Sequence, residues 1–381
     1  MLLRALTLLA AGLTALAPLQ SHATDGVTGN QIVIGQTIAL QGGKNDYAKA
    51  VLDGIQAHLA AVNKKGGVAG RTLVLKTLDD DNNAAKAEAN ARQLVDQERV
   101  YILFGSIEGG PSTAVMKVAI EKSVPFFGPM AGSPGFRRPH QPLVFPVRAE
   151  HLEEFRALLA YARRTGMTRV AFVRSDSETG QQHLANVQRV CSDLGMELVA
   201  DLPFKSDIND TQIAQMAARV GASQAQVVIN HGSTGMYERL IRKAAELKVS
   251  ARFSGVNSGA FQMAQHLGPL SHGMVFSQVV PSPWQRKTAI TREYQEELER
   301  HLPGQAFSYG SLEGYITAKA LVAALRTAGP KPTREGFVSG VHAAGKLELA
   351  EGLRATYSPG DHTGMTLVDL TIVTRDGKFQ H

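Results

Sequence analysis

Apolar runs of strand length alternate with amphipathic segments of helix length along this chain. The alternation runs twice, on either side of a proline-rich break, "GSPGFRRPHQP" (132–142). Strand–helix–strand order of this kind needs crossover helices on both faces of a sheet, which implies parallel strands. In the first run "QIVIGQTI" (31–38) precedes a helix over 47–64, where Val51, Leu52, Ile55, Leu59 and Val62 recur at helical spacing. "NKKGGVAGR" (63–71) stops that helix with glycines, and "TLVLKTL" (72–78), "VYILFG" (100–105) and "VPFFG" (124–128) supply the next strands. In the second run the strands are "RVAFVRS" (169–175), "MELVADLPF" (196–204), "AQVVIN" (225–230) and "ARFSGV" (251–256), with helices near 178–194, 211–220 and 235–247. A further helix over 308–329 and two closing strands, "MTLVDLTIV" (365–373) and "GKFQ" (377–380), complete the pattern. A chain of 381 residues exceeds what one core usually supports. The expected class is therefore α/β, with two Rossmann-like lobes built on parallel sheets and a cleft between them.

Residues 1–23 read as a cleavable secretory signal. Arg4 gives the positive start, 6–16 a short apolar run, and Ser21-His22-Ala23 a small-x-small cleavage site. The apolar run is too short for a membrane span. No cysteine stands at the cleavage point to carry a lipid, so a soluble mature chain outside the cytoplasm is expected. The formal charge of +6 is spread among acids, as in "REYQEELER" (292–300), and forms no basic stripe for nucleic acid. Cys191 is the only cysteine, which excludes an intramolecular disulfide. Nothing near it in the helical pattern "LANVQRVCSDLG" (184–195) would lower its pKa, so it reads as an inert core thiol.

Catalytic and metal motifs break down on inspection. "DDDNN" (79–83) starts like a calcium loop but has Ala84 and Asn90 where glycine and glutamate belong. "GVHAAGKL" (340–347) ends in Leu347 where a phosphate loop needs a hydroxyl. The histidines are dispersed without zinc spacing, and no Gly-x-Ser-x-Gly follows a strand. No metal, cofactor or enzyme activity is expected.

The strand ends are more informative. Ligands of open parallel sheets sit beyond the carboxyl ends of the strands, where helix N-termini offer unpaired N–H groups to anions. "GSIEGGPST" (105–113) ends a strand and opens a helix. Gly109 and Gly110 admit close backbone approach, Pro111 suits the first turn, and Ser112 and Thr113 add donors. Such a turn either seats a ligand or is only a tight connection. "FFGPMAGSPG" (126–135) is equally bare and offers backbone donors at Met130, Ala131 and Gly132. The second-lobe strand ends, "RSDSETG" (174–180), "INHGSTG" (229–235) and "SGVNSG" (254–259), repeat the composition.

Taken in order, "IVIGQTIAL", "NKKGGVAGR", "TLDDD", "FGSIEGGPS" and "VPFFGPMAGSP" resemble the leucine/isoleucine/valine-binding proteins, the type I periplasmic solute-binding proteins of ABC transporters. The resemblance covers essentially the whole mature chain. It implies a periplasmic protein whose lobes, 24–147 with 278–355 and 148–277 with 356–381, close on a small amino acid or a related carboxylate or amide. Hinges are implied near 146–148, 275–279 and 354–357, and a membrane permease is the implied partner. A ligand sensor that signals to a receptor or regulator is the alternative. Tyr47 corresponds to the family's ligand-covering tyrosine. Gly109 stands where a carboxylate-holding serine is usual, with Ser112 as a substitute, and Gly132 stands in place of a threonine sharing that duty. Asn257 stands where an acid usually pairs with the ligand ammonium, and asparagine cannot neutralise a cation. Glu108 is the acid that could restore the charge, or a solvated acid favoured by its helix dipole. Thr179 and Ser233 match cleft-facing positions. His231, Trp284 and Tyr309 are cleft candidates whose plainer role is packing or rim. The first-lobe cysteine pair common in the family is absent.

Overall fold

The computed structural model describes residues 25–41, 45–256 and 260–380, so the signal sequence expected at 1–23 lies outside the described residues. The first unit alternates β1 (Gln31–Ile38), α1 (Asn45–Lys64), β2 (Thr72–Asp79), α2 (Ala84–Asp96), β3 (Ile102–Phe104), α3 (Gly109–Glu121), β4 (Phe126–Phe127) and β5 (Val144–Phe145). Its sheet runs β2-β1-β3-β4-β5, every pairing parallel. The second unit follows with α4 (His151–Arg164), β6 (Arg169–Ser175), α5 (Glu178–Leu194), β7 (Glu197–Phe204), α6 (Asp210–Ala222), β8 (Val227–His231), α7 (Thr234–Glu246), β9 (Arg252–Gly255), α8 (Ala260–Leu267) and β10 (Val275–Gln278).

The chain then returns to the first unit as α9 (Ala289–His301), α10 (Tyr309–Thr327), α11 (Arg334–Ala344) and a three-stranded antiparallel sheet, β11 (Lys346–Ala350), β12 (Leu353–Ser358) and β13 (Asp361–Gly364). It closes on the second sheet with β14 (Asp369–Val373) and β15 (Phe379–Gln380), giving the order β15-β14-β10-β9-β8-β6-β7. The two closing strands are the antiparallel members of that sheet. No helix among the described residues is long and apolar enough to cross a membrane.

The five-stranded and seven-stranded sheets are each packed on both faces, as parallel pairing demands. The clusters around Ile34, Phe104 and Leu321, and around Leu94, Val115 and Phe126, cover the first sheet. Those around Val173, Leu240 and Phe276, and around Phe155, Phe172 and Val190, cover the second. Helices α1 and α10 approach unusually closely because glycines face the contact. A Cβ on Gly54 would lie 1.8 Å from Ser311 O, and one on Gly314 would lie 2.0 Å from Val51 O.

Three crossings join the units. The first follows β5 and the second follows β10, whose residues 275–278 take up most of the span 275–279 expected as a hinge. The other expected hinge, 354–357, lies in β12, with Ala355 and Tyr357 buried in the first unit's core. The alternation in "LRATYS" buries Leu353, Ala355 and Tyr357 on one face, which makes this segment a half-buried strand. The chain crosses only after Met365, beside the first crossing: Met365 N donates to Val147 O at 2.7 Å, and Tyr357 Oη to Pro146 O at 3.0 Å.

Close to these crossings, His362 of β13 is buried between β5 and α11. Its Nδ1 lies 2.7 Å from Val144 O, and its Nε2 faces His342 Nε2 at 2.8 Å. Two facing ring nitrogens share one proton, so a second proton breaks the pair. Burial pulls the His362 pKa down to about 4, opposed by the Val144 bond and helped by His140 and His342. Above the ordinary pKa near 6.5 both folded and unfolded forms are neutral, and below it the unfolded chain takes up the proton first. Stability is therefore lost as pH falls from about 6.5 to about 4, by on the order of 3 kcal/mol from this group. Urea titrations of His362→Gln across that window should show a flatter pH dependence than wild type; an identical slope would remove His362 from the account.

Candidate functional site

A cavity of about 440 Å³ is walled by segments that follow the carboxyl ends of strands from both sheets. The first unit contributes Tyr47 after β1, Glu108 and Gly109 after β3, and Met130, Ala131 and Ser133 after β4. The second contributes Ser177 and Thr179 after β6, Phe204 and Ser206 after β7, His231 and Ser233 after β8, and Val256 after β9. Arg148 and His151, from the first crossing and the start of α4, join the two walls.

The helix ends differ in a way that bears on ligands. Ser177 caps α5 by accepting from Gly180 N, and Ser233 caps α7 by accepting from Met236 N. At α3 the N-cap residue is Glu108, which makes no side-chain capping bond. The first N–H groups of a helix have no partner within it, so the α3 end presents donors and a partial positive charge at the cavity wall. Gly109 and Gly110 add no side chain there, and Ser133 Oγ would be 3.3 Å from a Cβ on Gly109. Glu108 itself has φ 62° and ψ 152°. That is a region almost reserved for glycine and costs on the order of 1–3 kcal/mol, a strain that tends to collect at ligand sites.

Behind the cavity runs a buried charge network. Arg148 Nη2 donates to Glu154 Oε2 at 2.8 Å, and Arg148 Nε lies 3.7 Å from Glu313 Oε1. Tyr47 Oη donates to Glu313 Oε2 at 2.5 Å, Ser277 Oγ to Glu154 Oε1 at 2.8 Å, and His151 Nδ1 lies 2.6 Å from Glu154 Oε2. Burial would raise the Glu154 pKa, but Arg148 and His151 draw it down to about 2. Burial likewise opposes the charge on Arg148, and Glu154 and Glu313 outweigh it and hold the guanidinium above its usual value. Burial, and then the Glu313 carboxylate, push the Tyr47 phenol well above its usual value, so it stays a donor.

Three imidazoles gather beside this network. His151, His183 on α5 and His231 at the end of β8 have ring centroids 3.8 Å (183–231), 4.4 Å (151–231) and 5.2 Å (151–183) apart. Burial, followed by the neighbouring imidazoles, keeps His183 and His231 below their ordinary pKa and neutral. Among the described residues both nitrogens of His183 are buried without a hydrogen-bond partner, as is Asn230 Oδ1.

Of the residues chosen from sequence, Tyr47, Glu108, Gly109, Met130, Ala131, Thr179 and Ser233 line the cavity. Three others lie elsewhere. Ser112 is buried and its Oγ accepts from Ser106 Oγ at 2.8 Å, which ties the turn to its own helix. Gly132 is bare for packing, since a Cβ there would meet the His151 ring at 2.8 Å and its carbonyl accepts from His151 N. Tyr309 packs edge-on against Trp284, with centroids 5.3 Å apart. Asn257 lies outside the described residues. His231, a cleft candidate whose plainer role was packing or rim, is part of the wall. Sequence reasoning passed over Arg148, His151 and Glu154, although "VRAEHLEE" (147–154) sets three ionisable groups at three-residue spacing directly after a strand.

The periplasmic binding protein family matches residues 31–378 of this chain. The chain is 22% identical over 371 residues to the Leu/Ile/Val-binding protein BraC3 of Rhizobium johnstonii, covering 96% of both. A possible leucine/isoleucine/valine-binding protein from Rhodopirellula baltica superposes with a TM-score of 0.82 at 23% identity, over 95% of this chain and 98% of that one. An ABC-transporter solute-binding protein from R. palustris, in complex with benzoate, superposes with a TM-score of 0.75 at 17% identity, over 92% and 95%.

Proposed function

The chain belongs to the periplasmic binding protein family, and from that premise we propose that it is the substrate-binding component of an ABC transporter of the branched-chain amino acid type. It holds a small amino acid, or a related carboxylate or amide, in the cavity between its lobes and delivers it to a membrane permease. The family is one of solute-binding proteins, not of enzymes. The observation that carries the reading is the open N-terminus of α3 on a cavity walled by both sheets. A carboxylate seated at Gly109, Gly110 and Ser133 meets unpaired N–H groups and a hydroxyl, while Met130, Phe204, Val256 and Met263 offer apolar surface to the body of the ligand. Glu108 on the same wall is the partner for an ammonium.

The lobes comprise 25–147 with 279–365 and 148–278 with 366–380, hinged at the three crossings. Only the closed form brings both walls onto the ligand, so binding shifts the population toward closure and the permease reads the closed form. That a relative is named for leucine, isoleucine and valine and a structural neighbour holds benzoate supports a carboxylate as the shared chemistry.

The test is a thermal-shift panel on protein unfolded and refolded to strip carried-over ligand, comparing leucine, its deaminated analogue 4-methylpentanoate, and benzoate. A ligand at 100 times its Kd should stabilise the fold by about 2.7 kcal/mol. Preference for leucine that disappears in Glu108→Gln identifies Glu108 as the ammonium partner. Equal stabilisation by 4-methylpentanoate identifies a site that reads the carboxylate alone. No shift with any small carboxylate or amino acid would refute the reading.

A further inference from the structure

The three-histidine cluster is explained neither by a carboxylate seat nor by ordinary core packing. His183 is fully buried with both ring nitrogens unpartnered, and leaving a buried polar group unsatisfied costs about 1–3 kcal/mol. It touches two more imidazoles by ring contact without a hydrogen bond to either. One ligating atom from each of His151, His183 and His231 can be taken so that all lie within 4.8 Å of one another. Four-coordinate zinc with Zn–N distances of about 2.0–2.1 Å spaces its nitrogens about 3.3 Å apart, so a pair at the outer limit of 4.8 Å has about 1.5 Å to close around an ion.

The surroundings match what a histidine-held metal requires. A ligating imidazole usually gives its other nitrogen to a carboxylate, which fixes its orientation and raises its basicity. His151 Nδ1 is so placed on Glu154, and Glu154 is itself anchored by Arg148 and Ser277. That arrangement leaves His151 Nε2 for a metal. The other grouping with ligand spacing among the described residues, His58, Glu293 and Glu297, has its atoms engaged: His58 and Tyr315 bond Glu297, and Lys319 pairs with Glu293.

We propose that His151, His183 and His231 bind a divalent transition metal of the zinc type, with the fourth coordination position opening onto the ligand cavity. His151 and His231 line that cavity while His183 closes the site from behind. Three neutral nitrogens with one open position suit borderline ions such as Zn²⁺ and Co²⁺, and a water or a carboxylate oxygen completes the shell. The inference goes beyond the carboxylate reading and stands without it, because the metal alone is the probe.

Chelator-stripped, refolded protein is titrated with Zn²⁺ by calorimetry and with Co²⁺ by visible absorption. One equivalent should bind, with the intense bands of four-coordinate cobalt. His183→Leu removes a buried ring whose nitrogens make no hydrogen bond, so it should keep a cooperative melt and lose at least about 100-fold in affinity. His231→Gln should do the same, whereas Glu293→Gln should leave affinity unchanged. Acetate or benzoate added to the cobalt form should shift its bands if the open position faces the cavity. Absence of stoichiometric binding, or binding unaffected by both histidine variants, overturns the site. Bands insensitive to both acids overturn the open position.

Discussion

Arg148→Met should lower the unfolding free energy by about 3–5 kcal/mol, the loss expected when one partner of a buried ion network is removed. The side chain is 4% exposed and sits between Glu154 and Glu313, which are as deeply buried. Methionine keeps much of the bulk, so the effect isolates the charge. Two carboxylates would be left in a site that disfavours charge, with Tyr47, Ser277 and His151 among the partners that remain to them. Adding Glu154→Gln to Arg148→Met should recover part of the loss, because the more strongly coupled acid is then neutral. Arg174→Met is the control: Arg174 pairs with Asp201, whose side chain is 31% exposed and can be rehydrated. Urea denaturation measures all three, provided the m-values agree. A single variant within about 1 kcal/mol of wild type would show that Arg148 contributes no net stabilisation.

That network also marks where sequence reasoning stopped. Strands β1 and β6 fall on their apolar runs and helix α5 on its helical spacing, since both signals are local properties of the sequence. The cavity wall was largely legible for a related reason: in a parallel sheet the ligand position follows from topology, and "GSIEGGPST" and "RSDSETG" are visible as strand ends. Ser112 and Gly132 share that composition and serve packing, because a bare turn looks the same whether it faces a ligand or a neighbouring ring. The antiparallel set β11–β13 was less visible, since its short strands join the first unit's core after a long return of the chain. The imidazole cluster could not be seen at all. His151 comes from α4, His183 from α5 and His231 from β8, so no spacing in the sequence encodes their contact.

Thr179→Trp should weaken binding of the panel's tightest carboxylate by at least about 100-fold, or about 2.7 kcal/mol, while leaving the ligand-free protein within about 0.5 kcal/mol of wild-type stability. The two halves of this expectation rest on different facts. Thr179 is exposed in the first turn of α5 and forms part of no core cluster, so an indole there displaces nothing that holds the fold. It nevertheless lines the cavity on the second-lobe wall, across from the α3 end where the carboxylate is proposed to sit. An indole projecting from that wall takes space the ligand or the closing lobe needs, and little of a 440 Å³ cavity can be spared. Thr179→Ser, which keeps the hydroxyl and removes only a methyl group, should bind within a few-fold of wild type. Calorimetry with both variants separates a steric block from loss of a hydrogen bond. Wild-type affinity in Thr179→Trp would mean that the ligand is held by the first lobe alone, and closure would then contribute nothing to recognition.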